Sequence, residues 1–159
     1  MTEHIVAIVH EIPPGGRKEV RIDGRSICVF NIDGEFFAIR NVCPHQGASL
    51  SQGKICGIHV CNQSLDEVVY QRAGEIIRCP WHGWEFDIKT GKSVFDPNGS
   101  YVKSYPVSVE QLSSEQVDPF SEPTSSEPYE PYEPFPSQEQ PSVETYETSV
   151  RSQYVIIHT

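Results

Sequence analysis

Two short stretches decide how this sequence is read: CPHQGASL, from Cys43 to Leu50, and CPWHGWEFD, from Cys79 to Asp87. Each opens on Cys-Pro, carries a histidine within three residues and turns on a glycine, and their first residues stand 36 positions apart. Cys43 with His45, and Cys79 with His82, are ligand-type side chains at a spacing that keeps each pair on one loop. The proline after each cysteine stiffens the loop, and Gly47 and Gly83 permit close backbone approach. Peptide N–H groups in turns of this kind can point at sulfur. The pattern suits a metal centre clamped between two loops of a rigid scaffold.

Outward from these loops the chain reads as strands. Ile5 to Val9 is a short β-branched run, and KEVRI, SICVFNI and FFAIRNV follow one another across Asp23-Gly24 and Asp33-Gly34. Asp-Gly pairs favour tight hairpins because both residues tolerate positive φ. A three- or four-stranded antiparallel meander therefore leads to Cys43. Apolar spacing of three and four residues, the mark of a helix, is missing here. Glu75 to Arg78 reads as a strand entering the second loop and Trp84 to Ile88 as one leaving it. Thr90-Gly91-Lys92 then reads as a turn into Ser93-Val94-Phe95. The expected fold is all-β, a small antiparallel sandwich or barrel.

The net charge of −10 is unevenly spread. Residues 1–112 hold 13 acidic and 11 basic side chains, whereas 113–147 hold 9 acidic and no basic ones. Segment 113–141, rich in Pro, Glu and Ser with a repeated EPY/EPF unit, reads as an extended acidic spacer, or alternatively as a docking strip for a basic or proline-reading partner. Strand-like sequence returns over 142–159, where 143–150 and 154–158 are expected to form a terminal hairpin that rejoins the sheet. No basic cluster favours nucleic acid or an anionic membrane, and no run of 18 apolar residues predicts a spanning helix. The N-terminus lacks the features of a signal peptide, so a cytoplasmic location is expected. Five cysteines at irregular spacing argue against a disulfide framework and for metal or redox chemistry.

Zinc accepts two Cys and two His, but zinc fingers group like with like, and here each loop holds one of each. Mixed loops fit a cluster in which one iron takes thiolates and the other takes imidazoles. In this the two stretches together resemble the cluster-binding boxes of Rieske 2Fe–2S proteins, most closely the soluble ferredoxins of bacterial ring-hydroxylating dioxygenases. The resemblance spans roughly residues 1–112, with cluster loops at 43–50 and 79–87. It implies Cys43 and Cys79 on one iron, His45 and His82 on the other, and a non-catalytic electron carrier between a flavoprotein ferredoxin reductase and an oxygenase component. The catalytic iron of an oxygenase subunit needs further His and carboxylate ligands, and after the second box only His158 remains.

Three departures qualify the resemblance. Respiratory Rieske proteins brace their loops with a disulfide, at positions that here correspond to Ala48 and Trp81. They also place Ser and Tyr hydroxyls where this chain has Trp84 and Phe86. Fewer donors to sulfur imply a potential near the low end of the Rieske range, about −150 mV. Between His45 and Cys79 lie 33 residues, longer than in simple ferredoxins of this type. The extra length contains Cys56, His59 and Cys61, read as parts of a surface loop rather than as a second metal site. Cys28 reads as a core residue, Trp81 as a shield over the centre, and Trp84 as packing beneath its loop. His4, His10 and His158 read as ordinary surface or strand-end residues. Two other readings are a redox sensor that works through the acidic segment, and the small Rieske-like subunit of a nitrite reductase, which often lacks the ligands present here.

Overall fold

A computed structural model of the chain describes residues 1–64, 66–113 and 152–159. Among these, ten strands form three antiparallel sheets, and the only helical pieces are single 3₁₀ turns at Val9–Glu11 and Leu50–Gln52. No helix of the described residues is long and apolar enough to cross a membrane.

The middle sheet has the order β2 (Arg17–Ile22), β3 (Arg25–Ile32), β4 (Glu35–Arg40) and β8 (Ser104–Tyr105). Its two hairpins close at the Asp-Gly pairs. Asp23, Gly24, Asp33 and Gly34 all have φ between 49° and 93°, the geometry expected of them. Strand β3 explains the sheet's place in the molecule. Its last six residues are all buried, and alternate side chains enter different cores. Ile27 and Val29 pack with Ala7, Val155 and Ile157 of one neighbouring sheet. Cys28, Phe30 and Ile32 pack with Ile77 and Phe86 of the other. A sheet covered on both faces needs a continuous apolar run, which is what SICVFNI supplies. The expectation that Cys28 belongs to the core holds.

One outer sheet has the order β1 (Glu3–Ile8), β10 (Ser152–His158), β9 (Val107–Leu112). The first strand thus leaves the meander and pairs with the last, Ile5 facing Ile156. Residues 143–150, the first strand of the expected terminal hairpin, lie outside the described residues. Two strand-end histidines, which spacing left without partners, find them here. His158 Nε2 lies 2.8 Å from Ser108 Oγ, and His4 Nε2 lies 3.1 Å from Thr159 Oγ1.

The other outer sheet consists of β5 (Lys54–Asn62), β6 (Glu67–Arg78) and β7 (Glu85–Asp87). It corrects the expectation of a surface loop between the two boxes, because β5 and β6 pair antiparallel there instead. Its alternation is interrupted where Gly57 faces the stretch between Gln71 and Ile76, with Arg72 and Gly74 at positive φ. The bulge accounts for the glycine. A Cβ on Gly57 would stand 2.4 Å from the Gln71 carbonyl oxygen. Arg72 bridges Glu75 (2.8 Å) and Asp87 (2.5 Å), and the Gly57 N–H donates to the Tyr70 hydroxyl, so the outer half of the hairpin is fixed to its base. Past β7, the expected strand at 93–95 is reduced to isolated bridges, Phe86 with Ser93 and Lys92 with Tyr101.

Candidate metal centre

The two boxes fold into the same turn. In the first, the Cys43 N–H donates to the Ala48 carbonyl (2.8 Å) and the Gly47 N–H to the Cys43 carbonyl (2.9 Å). In the second, the Cys79 N–H donates to the Trp84 carbonyl (2.7 Å) and the Gly83 N–H to the Cys79 carbonyl (3.1 Å). The offsets from cysteine are identical, and both turns require positive φ at the glycine, 86° at Gly47 and 75° at Gly83. The shared local sequence thus yields two equivalent loops. One leaves β4 of the middle sheet, and the other joins β6 to β7 of the outer sheet.

Each loop is closed at its base by a polar clasp. For the first, the buried Asn41 side chain donates to Ser26 and Ser51 hydroxyls (3.0 Å each) and accepts from the Ser51 N–H (2.6 Å). Glu19 completes the group, accepting from Ser26 Oγ at 2.6 Å and Ser51 Oγ at 3.1 Å. For the second, Arg78 and Glu85 face each other across β6 and β7 and pair at 2.6 Å. Sequence reading missed both clasps. The available signal was an Asn and a Ser, or an Arg and a Glu, standing just outside each box.

The four ligand-type residues sort by chemistry. Cys43 and Cys79 are buried beneath the loops, while His45 and His82 lie exposed above them. Both thiols belong to the same buried cluster of the core. Burial pushes the Cys43 thiol pKa up, its neighbour Cys79 adds to that, and hydrogen bonds from the His45 and Gln46 backbone N–H groups pull it down. The imidazole centroids are 4.7 Å apart at 77°. Two imidazoles on one ion, with metal–nitrogen bonds of about 2 Å, place their centroids about 4–5 Å apart.

This arrangement, sulfurs inside and nitrogens outside, fits a two-iron cluster with thiolate and imidazole ends. A single zinc ion needs its ligands around one point. Among the described residues, no three His, Cys, Asp or Glu side chains are grouped so as to hold one ion. The same holds for Cys56, His59 and Cys61. Cys56 is buried and donates to Glu85 at 3.9 Å, His59 lies against Tyr70, and Cys61 is exposed.

Trp84, expected as packing beneath its loop, is the tryptophan that lies over a ligand-type residue. Trp81 is 61% exposed. Trp84 lies flat on the His45 imidazole, centroids 4.5 Å apart at 8°, rather than packing beneath its own loop. It stands one residue past the turn glycine, where the Cys79 hydrogen bond to its carbonyl holds it. Trp84 also borders an open groove of about 590 Å³ with Val94 and the fully exposed Phe95.

With this geometry in hand, the fold and site define a Rieske domain, and residues 2–106 match the family model described as "Rieske [2Fe-2S] domain". The chain belongs to that family, and its cofactor is a Rieske-type 2Fe–2S cluster. It is 34% identical over 102 residues to a biphenyl dioxygenase ferredoxin subunit of Pseudomonas sp. strain KKS102, an alignment that covers 64% of this chain and 79% of that one. It is 30% identical over 106 residues to the ferredoxin component of naphthalene 1,2-dioxygenase/salicylate 5-hydroxylase systems of a Ralstonia species, covering 67% and 86%. Among solved structures, it resembles the Sphingomonas yanoikuyae B1 ferredoxin with a TM-score of 0.51 and 32% identity, covering 69% and 91%. The ferredoxin of carbazole 1,9a-dioxygenase from Nocardioides aromaticivorans IC177 is similar at a TM-score of 0.53 and 27% identity, with the same coverage. The chain is an electron carrier of the Rieske ferredoxin type.

Proposed function

We propose that this chain passes single electrons from a flavoprotein reductase to the terminal oxygenase of a ring-hydroxylating system in the cytoplasm. Cys43 and Cys79 hold one iron of the cluster, and His45 and His82 hold the other. The observation that carries this reading is the sorting of donors by the two equivalent turns, with thiols buried and imidazoles at the surface. When bound, the cluster supplies a one-electron redox centre. The chain's own residues keep water from the sulfurs, present amide donors to Cys43, and bring the imidazoles to the surface where a partner can approach. Neither Trp84 nor Phe86 adds a hydroxyl donor, which favours a potential near the low end of the range, about −150 mV. Residues 1–112 form the electron-carrying unit, 113–141 serve as an acidic spacer, and the segment 142–159 returns to that unit.

The test is an anaerobic redox titration followed by electron paramagnetic resonance, with iron and sulfide counts. The expected result is a Rieske-type reduced signal near that potential, two irons and two sulfides per chain, and loss of the signal in Cys79→Ser and His82→Ala. The reduced protein should then reduce an added dioxygenase oxygenase component in a stopped-flow mixing experiment. Zinc in place of iron sinks the ligand assignment, and a strongly positive potential sinks the oxygenase partner.

A further inference from the structure

We infer that Trp84 is a positioning residue for electron transfer, one that fixes the plane of the His45 imidazole from the opposite loop; this rests on the ligand assignment proposed above. All five cysteines are free of disulfides, so no disulfide braces the two loops. Near the surface, the ring contacts between the loops are those of His45. Its imidazole lies parallel to the Trp84 indole at 4.5 Å and meets the His82 ring edge-on at 4.7 Å. Trp84 thus reaches across from the second loop to cover a ligand of the first.

The indole is itself held. Its carbonyl accepts the Cys79 N–H at 2.7 Å, and its ring lies 6.4 Å from that of the fully buried Phe86. It remains 36% exposed, so one face meets the groove while the other covers His45. A wide flat ring in stacked contact does two things for an exposed imidazole. It restricts rotation about the side-chain bonds, which narrows the range of metal–nitrogen geometries. It also keeps water off one face of the ring. Water stabilises the reduced, more negative form of a cluster, so the cover holds the potential down.

The experiment compares holoprotein of the parent with Trp84→Phe, Trp84→Leu and Trp84→Ala. It uses nitrogen electron–nuclear double resonance of the reduced centre together with the midpoint potential. In the parent, two histidine nitrogen couplings are expected. Trp84→Phe should keep both sharp. Trp84→Leu and Trp84→Ala should broaden one of the two and raise the potential, shifting the reduction equilibrium at least threefold. If the alanine variant does not retain its cluster, the comparison of Phe with Leu decides. Leu behaving like Phe, or all variants matching the parent, overturns the inference and leaves the ligand assignment standing. A parent without histidine nitrogen couplings overturns both.

Discussion

Asn41→Ala tests whether the first loop depends on its clasp. The side chain is 1% exposed, donates to Ser26 and Ser51 and accepts from the Ser51 N–H. Each hydrogen bond of this kind contributes about 1 kcal/mol net. Removing all of them at once should cost about 3 kcal/mol, since the Ser51 amide also loses its acceptor. With a urea dependence of about 1.5 kcal/mol per molar, the unfolding midpoint should fall by about 2 M. Far-ultraviolet circular dichroism reads that midpoint, and the visible absorbance of the centre reads its retention in parallel. Absorbance should fade first and faster than in the parent, because Asn41 joins the two ends of the stretch that carries Cys43 and His45. Ser26→Ala removes two hydrogen bonds, one accepted from Asn41 and one donated to Glu19, and should cost about two-thirds as much. A midpoint for Asn41→Ala within about 0.3 M of the parent would refute the clasp argument.

Gly57→Ala forces a methyl group against backbone atoms of the opposing strand and should cost about 2 kcal/mol, as overpacking does. Calorimetry should show a Tm about 8 °C lower, with the resonance signal of the centre unchanged. On the folded protein, maleimide should label Cys61, which is exposed, and spare Cys28, whose thiol burial pushes up to about 12. Cys56, raised by burial and then by Glu85, should also be spared, and peptide mass spectrometry reads all three sites. Hydrogen bonds from Lys89 and then Arg72 hold the Glu75 carboxyl below its ordinary value of 4.5. A lowered folded pKa contributes stability that is fully present above 4.5 and lost as pH falls through the folded value. Glu75→Gln should therefore lower stability at neutral pH and leave it little changed below the folded pKa, flattening the acid side of the stability–pH curve in urea titrations.

What could be read in the sequence, and what could not, follows from where each structural decision is made. The two metal loops were legible because each is set by residues within a span of six, Cys to turn glycine and one beyond, and the local hydrogen bonds repeat in both. The meander was legible for the same reason, since Asp-Gly turns are local. The β5–β6 hairpin was not. Its strands interrupt alternation at Gly57 and again at Arg72 and Gly74, and those positions make sense only when paired with each other across the bulge. The sequence C-x-x-H-x-C in β5 resembles a ligand set, yet the bulge at Gly57 separates Cys56, which is buried, from His59 and Cys61, which are exposed. Cys56 turns to Glu85, while His59 meets Tyr70. Trp84 shows the same limit at the site itself. From its own loop it looks like packing, because the ring it covers lies 39 positions earlier in the chain. Local motifs therefore single out the proposed ligands, while the residues that would constrain them come from contacts between loops. For that reason the substitutions that separate ligand identity from ligand positioning fall at Asn41 and Trp84, outside the four residues that the motif singles out.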